Sequence, residues 1–466
     1  MDKKMILAND PVEAGAGRFL DDDARRAQAA VEQKFLFRKI GLPFDYASDP
    51  DDFPSKCFAT AKEARSNQPN PTGLGAGFHF TCRNHALLFD SYLLRLETGI
   101  EAGGDEAILD RLIGGLIRLA TVAPKSFLVG GLAPDGRGFY GQTRRENHAA
   151  WAFAVTRGLF TAAISPESQE KFRSITGKWM DRVRREKFRL NSVDGKQAPG
   201  GDISQPDPDA GPFLLAMLLT AARASGDAKD FQAYEAAAEE EARARLGAFE
   251  TDEPMADLMW RQAAWSLILE GDPEEARREM AGARMREYAL AASKRVGDVA
   301  LWDPALADIP LDIDWRTFPK APAQDSPYGF VPPESWRRLE GEAHLESGLS
   351  AAYVMLLAKE KELLEECVPI IAGCLRGVDW SRMMGLNTLV RAIAVHVRGV
   401  ELGLWDEGLY DTLREPPSAE LSIAAKYMEP DYDDENPGKA GHAAPPAPPP
   451  RPEGSGGKRR RRKKRR

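Results

Sequence analysis

The chain of 466 residues lacks a long apolar run. No stretch reaches the roughly 18 consecutive apolar residues that a membrane-spanning helix requires. The N-terminal sequence MDKKMILANDP offers only the short apolar run MIL, whereas a secretory signal carries about 7 to 15 such residues. We therefore expect no membrane association and a cytoplasmic protein.

Cysteine is scarce. The four cysteines, Cys57, Cys82, Cys367 and Cys374, form no CxxC pair. Cys367 and Cys374 lie seven residues apart, which places them on one face of a helix, and buried packing is the usual role of such thiols. A metal site would need closer ligands or a neighbouring histidine.

Histidines and nucleotide-binding motifs are also few. There are six histidines, and His79, His85 and His148 show no spacing that is diagnostic of zinc. The sequence offers no GxGxxG, P-loop, HExxH or GxSxG context, which argues against nucleotide-binding, zincin and serine-hydrolase functions. It predicts no cofactor and no metal.

Positive charge is concentrated at the C-terminus. The whole chain has a net charge of −8, and Lys458–Arg466 alone carry +9, which leaves −17 on the remainder. Residues 428–457 are rich in Pro, Gly, Ala and acids without apolar periodicity, which predicts a disordered linker. We expect the basic tail either to bind polyanions without sequence preference through counterion release, or to be a solvated tail with no specific partner.

The body of the chain is predicted to be all-α, because apolar helices alternate with amphipathic ones. GPFLLAMLLTAARA (211–224) is apolar nearly all round, and DAKDFQAYEAAAEEEARARL (227–246) is charged on one face. The stretch SPESQEKF shows helix-start chemistry, with Ser165 as N-cap, Pro166 at the first helical position and Glu167 near the positive end of the helix dipole. Five such hairpins are recognisable, and helices near 19–39 and 382–402 can supply a sixth.

An inner ring of buried helices inside an outer ring of amphipathic ones predicts an (α/α)6 toroid over residues 1–427, with long loops at one mouth. An open α-solenoid also stacks helical hairpins and is the alternative. A solenoid tends to keep a fixed short period, whereas the inner helices here start near residues 85, 146, 211, 254 and 348. This irregular spacing favours the toroid.

Three stretches resemble a known group of proteins: QPNPTGLGAG followed by HALLFDSYLLRLETG, then GGLAPDGRGFYGQTRRENHAAWAF, then WMDRVRREKFRLNSVDGK. They are similar to uncharacterised bacterial proteins of the six-hairpin glycosidase-like (α/α)6 superfamily. The resemblance covers about residues 65–250. It implies the toroid fold and a carbohydrate substrate, and it transfers no catalytic residue.

The candidate site follows from the loops that enter buried helices. Loops 121–145, 188–210 and 291–345 are long, and long loops in compact domains are usually functional. At the end of the first, Arg144, Arg145, Glu146, Asn147 and His148 meet the first turn of an apolar helix. Buried polar groups there need partners or a ligand.

A glycosidase needs one carboxyl group as an acid and another as a base or nucleophile. Glu146 is the first candidate, because the apolar helix that it precedes would desolvate it and raise its pKa. Asp202 and Asp135 lie on neighbouring loops and are the candidates for the second carboxylate. The alternative roles are a structural salt bridge for Glu146 and turn formation for the two aspartates.

Further residues are expected to bind the substrate, since arginines can orient carboxylates or hydroxyls and aromatic rings can stack on sugar faces. Ordinary core packing is the alternative for each. They are Tyr140, Arg144, Arg145, His148, Trp151, His85, Trp302 and Trp315.

Two functions are therefore weighed. The first is a carbohydrate-active enzyme, a glycoside hydrolase or a polysaccharide lyase, acting on an oligosaccharide (including acidic ones) through carboxylates at the mouth. The second is a non-catalytic helical protein that binds a glycan or a partner and is tethered by its basic tail.

Overall fold

A computed structural model describes part of the chain. All described residues belong to one compact unit within Met1–Ala424. They are residues 21–37, 41–43, 81–100, 103–132, 136–141, 143–193, 195–203, 211–243, 254–309, 335–383 and 385–405.

The described residues are mainly helical, which confirms the all-α prediction. Helices that are mostly buried alternate along the chain with amphipathic helices that have an exposed face. The helices are α1 (Asp21–Ala30), α2 (Thr81–Thr98), α3 (Asp105–Thr121), α4 (Arg145–Leu159), α5 (Pro166–Arg185), α6 (Gly211–Ser225), α7 (Ala228–Arg243), α8 (Met255–Gly271), α9 (Glu275–Ser293), α10 (Ser335–Ala358), α11 (Lys361–Gly377) and α12 (Leu386–Glu401).

Helix α5 shows how the sequence sets an outer helix. The Ser165 hydroxyl accepts a hydrogen bond from the Ser168 N–H, and Pro166 occupies the first helical position, as the sequence predicts. One face then buries apolar side chains at helical spacing, while the opposite face stays charged. The buried residues on that face include Phe172, Ile175, Trp179 and Val183.

Short strands occur in the segments that lead from an outer helix to the next inner one. β1 (Leu36–Phe37) pairs with β2 (Leu42–Pro43), and β3 (Arg189–Asn191) pairs with β4 (Gln197–Asp202), both antiparallel. The N–H of Val193 donates to the carbonyl of Gly141 at 2.7 Å, which ties the β3–β4 hairpin to the loop before α4.

The inner helices contact one another in chain order and the series closes. Each of α2, α4, α6, α8, α10 and α12 contacts the next, and α12 contacts α2. The outer helix α1 packs against α12. Helix α4 also contacts α8 directly, although α6 lies between them in the series. The toroid itself stays a prediction.

The structure corrects the expected extent of one loop. Residues 291–345 were expected to be a loop, but α9 runs to Ser293, 3₁₀ turns follow at Val296–Leu301 and Pro304–Asp308, and α10 begins at Ser335. Charged residues early in α10 hide its helical period, because ion pairs such as that between Arg338 and Glu342 take the place of apolar contacts.

Some predictions lie outside the described residues. They concern Asp135, Trp315, the linker at 428–457 and the basic tail at 458–466. Among the helices that are described, none has both the length and the apolar character needed to cross a membrane.

Candidate functional site

Polar side chains from the N-terminal halves of five inner helices are linked by ion pairs and hydrogen bonds or, for Glu146, by the electrostatic effect of its carboxylate on Arg83. We name this group the N-terminal cluster. Most of its members are buried despite their charge or amide groups, so each needs a partner. It comprises Arg83 and Asn84 of α2, Glu146 of α4, Asp257 of α8, Glu346 of α10, and Asn387 and Arg391 of α12.

An ion pair spans the cycle of inner helices. The Nη1 of Arg83 lies 3.1 Å from Oδ1 of Asp257, although α2 and α8 are opposite each other in the cycle. The Arg83 side chain is 3% exposed and that of Asp257 is 37% exposed. Burial lowers the pKa of Arg83, while the nearby carboxylates of Asp257 and then Glu146 raise it. Two carboxylates from different helices therefore act on one guanidinium.

Glu146 is held in the first turn of α4, as the sequence predicts. The Nε of Arg145 donates to its Oε1 at 3.1 Å, and both side chains are mostly buried. The Arg145 guanidinium also lies over the Phe213 ring, 5.6 Å from the centroid. Arg144 is exposed and occupies the N-cap position, without a capping side-chain hydrogen bond.

Helices α10 and α12 complete the cluster. Arg391 places Nη2 3.0 Å from Oε1 of Glu346 and donates through Nε to the hydroxyl of Ser350 at 2.6 Å. Asn387 donates to Glu346 at 2.9 Å and accepts from Asn84 at 2.5 Å. These bonds fix the relative positions of α2, α10 and α12 at this end.

A second buried network lies further along the same helices, and we name it the C-terminal cluster: Asp90, Arg157, Tyr353 and Arg398. Asp90 accepts from Arg157 Nε at 2.9 Å, from Arg398 Nη2 at 2.6 Å and from the Tyr353 hydroxyl at 3.5 Å. Burial acts to raise the pKa of Asp90, but the two guanidinium groups outweigh it and hold that pKa below its usual value. Glu97 and Glu401 pair with the outer nitrogens of the arginines.

His148 and Trp151 lie on the other side of α4 from Glu146 and Arg157. The indole N–H of Trp179 donates to Nδ1 of His148 at 3.0 Å, and Trp151 donates to the Leu116 carbonyl at 3.1 Å. Burial, and then Arg182, lower the pKa of His148 to about 3. Both residues expected to bind substrate therefore pack against the outer layer and are not brought together with Glu146.

His85 has a similar placement. Its Nε2 lies 2.7 Å from the Leu112 carbonyl, between α2 and α3. Burial lowers its pKa to about 4, and the ring sits so close to Gly115 that a Cβ there would clash with it. The imidazole thus fills a helix–helix contact.

The remaining predicted residues are scattered. Asp202 lies at the end of β4 and pairs with Arg189 of the same hairpin at 3.4 Å. Tyr140 is buried in the loop before α4. Trp302 directly follows the 3₁₀ turn Val296–Leu301 and lies against Gly341 of α10.

Sequence reasoning missed Asp257, Arg83, Glu346 and Arg391. The signal that selected Glu146, a charged residue in the first turn of an apolar helix, also applies to Asp257 in PMADLMWRQAAW and to Arg83 in TCRNHALLF. Glu346 lies further into α10, between the expected loop 291–345 and the expected helix start at 348. The structure shows no group of three or more metal-ligating side chains in the part of the chain that it describes.

Comparisons with family models, with curated proteins and with solved structures found no match to this chain.

Proposed function

We propose that the chain is a cytoplasmic (α/α)6 toroid of the six-hairpin glycosidase-like type that cleaves an acidic oligosaccharide, as a glycoside hydrolase or a polysaccharide lyase. The closed series of contacts among six inner helices supports the toroid, as does the pairing of α1 with α12 at the closure. A toroid of this kind presents a ligand site at one end of its inner helices.

The pair Glu146 and Asp257 carries the functional proposal. The two carboxylates come from different inner helices, α4 and α8, which contact each other, and both act electrostatically on Arg83. Hydrolysis of a glycosidic bond needs two carboxyl groups facing the scissile bond. Asp257 replaces Asp202 and Asp135 as the proposed partner of Glu146, because it shares a charged neighbour with Glu146.

The surrounding arginines favour an acidic sugar. Arg145 uses Nε for Glu146 and rests on Phe213, while its terminal nitrogens make no hydrogen bond in the part of the chain that is described. A guanidinium fixed in this way can bind a carboxylate through two parallel hydrogen bonds. The N-terminal end of α4 adds a favourable potential for an anion.

A non-catalytic glycan-binding protein is the second candidate, and a specific observation favours it. Each carboxylate of the pair already has an arginine partner, Arg145 for Glu146 and Arg83 for Asp257. In a binding protein, these ion pairs would stay intact and would only shape the site.

The two candidates predict different results for Glu146→Gln and Asp257→Asn. We would measure turnover of a panel of neutral and uronate-containing oligosaccharides, together with the melting temperature. In an enzyme, each change lowers turnover by about 10² to 10⁴, the usual contribution of acid–base catalysis, with little change in stability.

Glu97→Gln, which also breaks a carboxylate–arginine pair but at the other end of the inner helices, is the matched control and should keep full turnover. Wild-type turnover that survives both substitutions in the pair would contradict the enzymatic proposal. Binding without turnover in the wild type would favour the second candidate.

We also propose that the basic tail binds polyanions. Nine consecutive cations in Lys458–Arg466 support this, because release of condensed counterions drives such binding. Deleting these residues should abolish salt-sensitive retention on heparin without changing the melting temperature. Retention that persists after the deletion would contradict the proposal.

A further inference from the structure

A buried indole lies one helical turn after Asp257 on α8. Trp260 of α8 is 1% exposed, and its Nε1–H has no hydrogen-bond partner in the described part of the structure. A buried donor without a partner costs about 1 to 3 kcal/mol relative to one that is bonded. An oxygen atom of a bound molecule could satisfy it.

Contacts show that Trp260 points into the interior of the cycle. Its ring meets Phe153 of α4 edge-on, with centroids 6.4 Å apart. Phe153 follows Glu146 by seven residues and precedes Arg157 by four, so the three share one face of α4. Arg157 reaches Asp90 of α2 from that face, while the adjacent Thr156 instead bonds Thr220 of α6. Phe153 and Trp260 therefore meet inside the cycle.

The helical register places Trp260 directly below Asp257. Residues three apart are neighbours on a helix surface, and Asp257 extends across the interior to Arg83. Side chains in an α-helix lean toward its N-terminus. The Trp260 indole thus leans toward the end of α8 that carries Asp257.

We infer that Trp260 forms the floor of the saccharide site and donates its indole N–H to an oxygen acceptor of the ligand, a hydroxyl or a carboxylate. This inference rests on the proposed function, since it assigns a ligand contact within the same site. The indole supplies both an apolar surface and one directed donor, which is the combination that an oxygen-rich ring requires.

Trp265 is a matched control on the same helix. It is 2% exposed, and its Nε1–H also lacks a partner among the described residues. At about 100° per residue, the offset of five positions turns Trp265 about 140° away from Trp260 and places it more than one turn deeper. If burial without a hydrogen-bond partner were the only relevant property, both indoles would behave alike toward a sugar.

The test uses the full-length protein with ¹⁵N-labelled tryptophan. Trp260→Phe and Trp265→Phe assign the two indole cross-peaks, and Phe153→Leu assigns that of Trp260 through its altered ring current should Trp260→Phe fail to fold. The probe is the panel oligosaccharide that binds most tightly or, if none binds, glucuronic acid at high concentration with glucose as its neutral counterpart.

We expect the Trp260 cross-peak to shift saturably with the probe while that of Trp265 stays in place. Trp260→Phe should weaken binding by about 5- to 10-fold, the net value of one hydrogen bond. An unmoved Trp260 cross-peak, or equal shifts of both, would overturn the inference.

The outcome separates this inference from the proposed function. A Trp260 shift in a protein that turns over no saccharide would support the floor contact and reject the catalytic proposal. Turnover with an unmoved Trp260 cross-peak would retain the enzyme and reject the contact. Absence of both turnover and shift would reject both.

Discussion

Both ends of the inner helices bury a charged side chain, but the sign of the buried charge and the number of its partners differ. In the C-terminal cluster, one carboxylate, Asp90, is 2% exposed and receives two guanidinium groups. In the N-terminal cluster, one guanidinium, Arg83, is 3% exposed and lies near two carboxylates, of which Asp257 is 37% exposed. The first network is closed to solvent on its acidic side, and the second is open there.

We propose that this difference separates a structural role from a functional one. A buried carboxylate saturated by arginines has no capacity left for a ligand or for a proton at ordinary pH. A partly exposed carboxylate beside a buried cation can still reach a ligand from solvent. The comparison therefore predicts that stability depends mainly on the C-terminal cluster and activity on the N-terminal one.

Asp90→Asn should have the largest effect on stability. The change leaves Arg157 and Arg398 buried without their common counter-charge, and breaking a buried pair in this way costs about 3 to 5 kcal/mol. Chemical denaturation followed by circular dichroism would measure the loss. A change below about 1 kcal/mol would mean that Asp90 does not hold the cluster together.

Acid should remove the same contribution from the wild type. Because the folded-state pKa of Asp90 lies below its usual value, its stabilising effect is complete above the unfolded pKa of about 3.9 and is lost as the pH falls through the folded pKa. The stability difference between wild type and Asp90→Asn should therefore narrow below about pH 4. Denaturation at several pH values checks this prediction. A stability difference that widens in acid would contradict a lowered pKa for Asp90.

Asp257→Asn tests the other end with the same chemical change. We expect a stability loss of about 1 kcal/mol, since the side chain is partly exposed and Glu146 still acts on Arg83. The same denaturation experiment makes the two substitutions directly comparable. A loss of stability equal to that of Asp90→Asn would contradict the predicted difference between the two clusters in their contribution to stability.

Glu97→Gln should have the smallest effect, about 0.5 kcal/mol or less. Its pair with Arg157 is at the rim of the C-terminal cluster, where the Glu97 side chain is 32% exposed, and exposed ion pairs contribute little. Raising the salt concentration should shrink even this difference. An effect of several kcal/mol would show that the rim is as important as the buried centre.

The helices with strong patterns could be predicted from the sequence. Helix α5 starts with the cap that Ser165 and Pro166 indicate, and the buried α6 begins at Gly211, as its apolar run suggests. Glu146 was selected correctly as a first-turn residue of a buried helix. In each of these cases, local chemistry and apolar period point to the same structure.

The early turns that build the N-terminal cluster were harder to predict. Helix α2 begins at Thr81, four residues before the expected start, and α10 begins at Ser335 instead of 348. These turns carry Arg83, Glu342 and Glu346, and such residues resemble a solvated loop in a single sequence. Only partners that are distant along the chain, such as Asp257 for Arg83, make them stable as buried helix.

The hydrogen bond between Asp90 and Arg398 has a consequence for folding during synthesis of the protein. These residues are 308 positions apart in the chain. At a synthesis rate of about 5 to 20 residues per second, Asp90 leaves the ribosome about 15 to 60 s before Arg398 does. Throughout that interval, the nascent chain carries an aspartate whose final surroundings do not yet exist. Closure of α12 against α1 and α2 is therefore a step that only the completed chain can take, and a ribosome stalled before α12 would expose the unfinished core to chaperones and proteases.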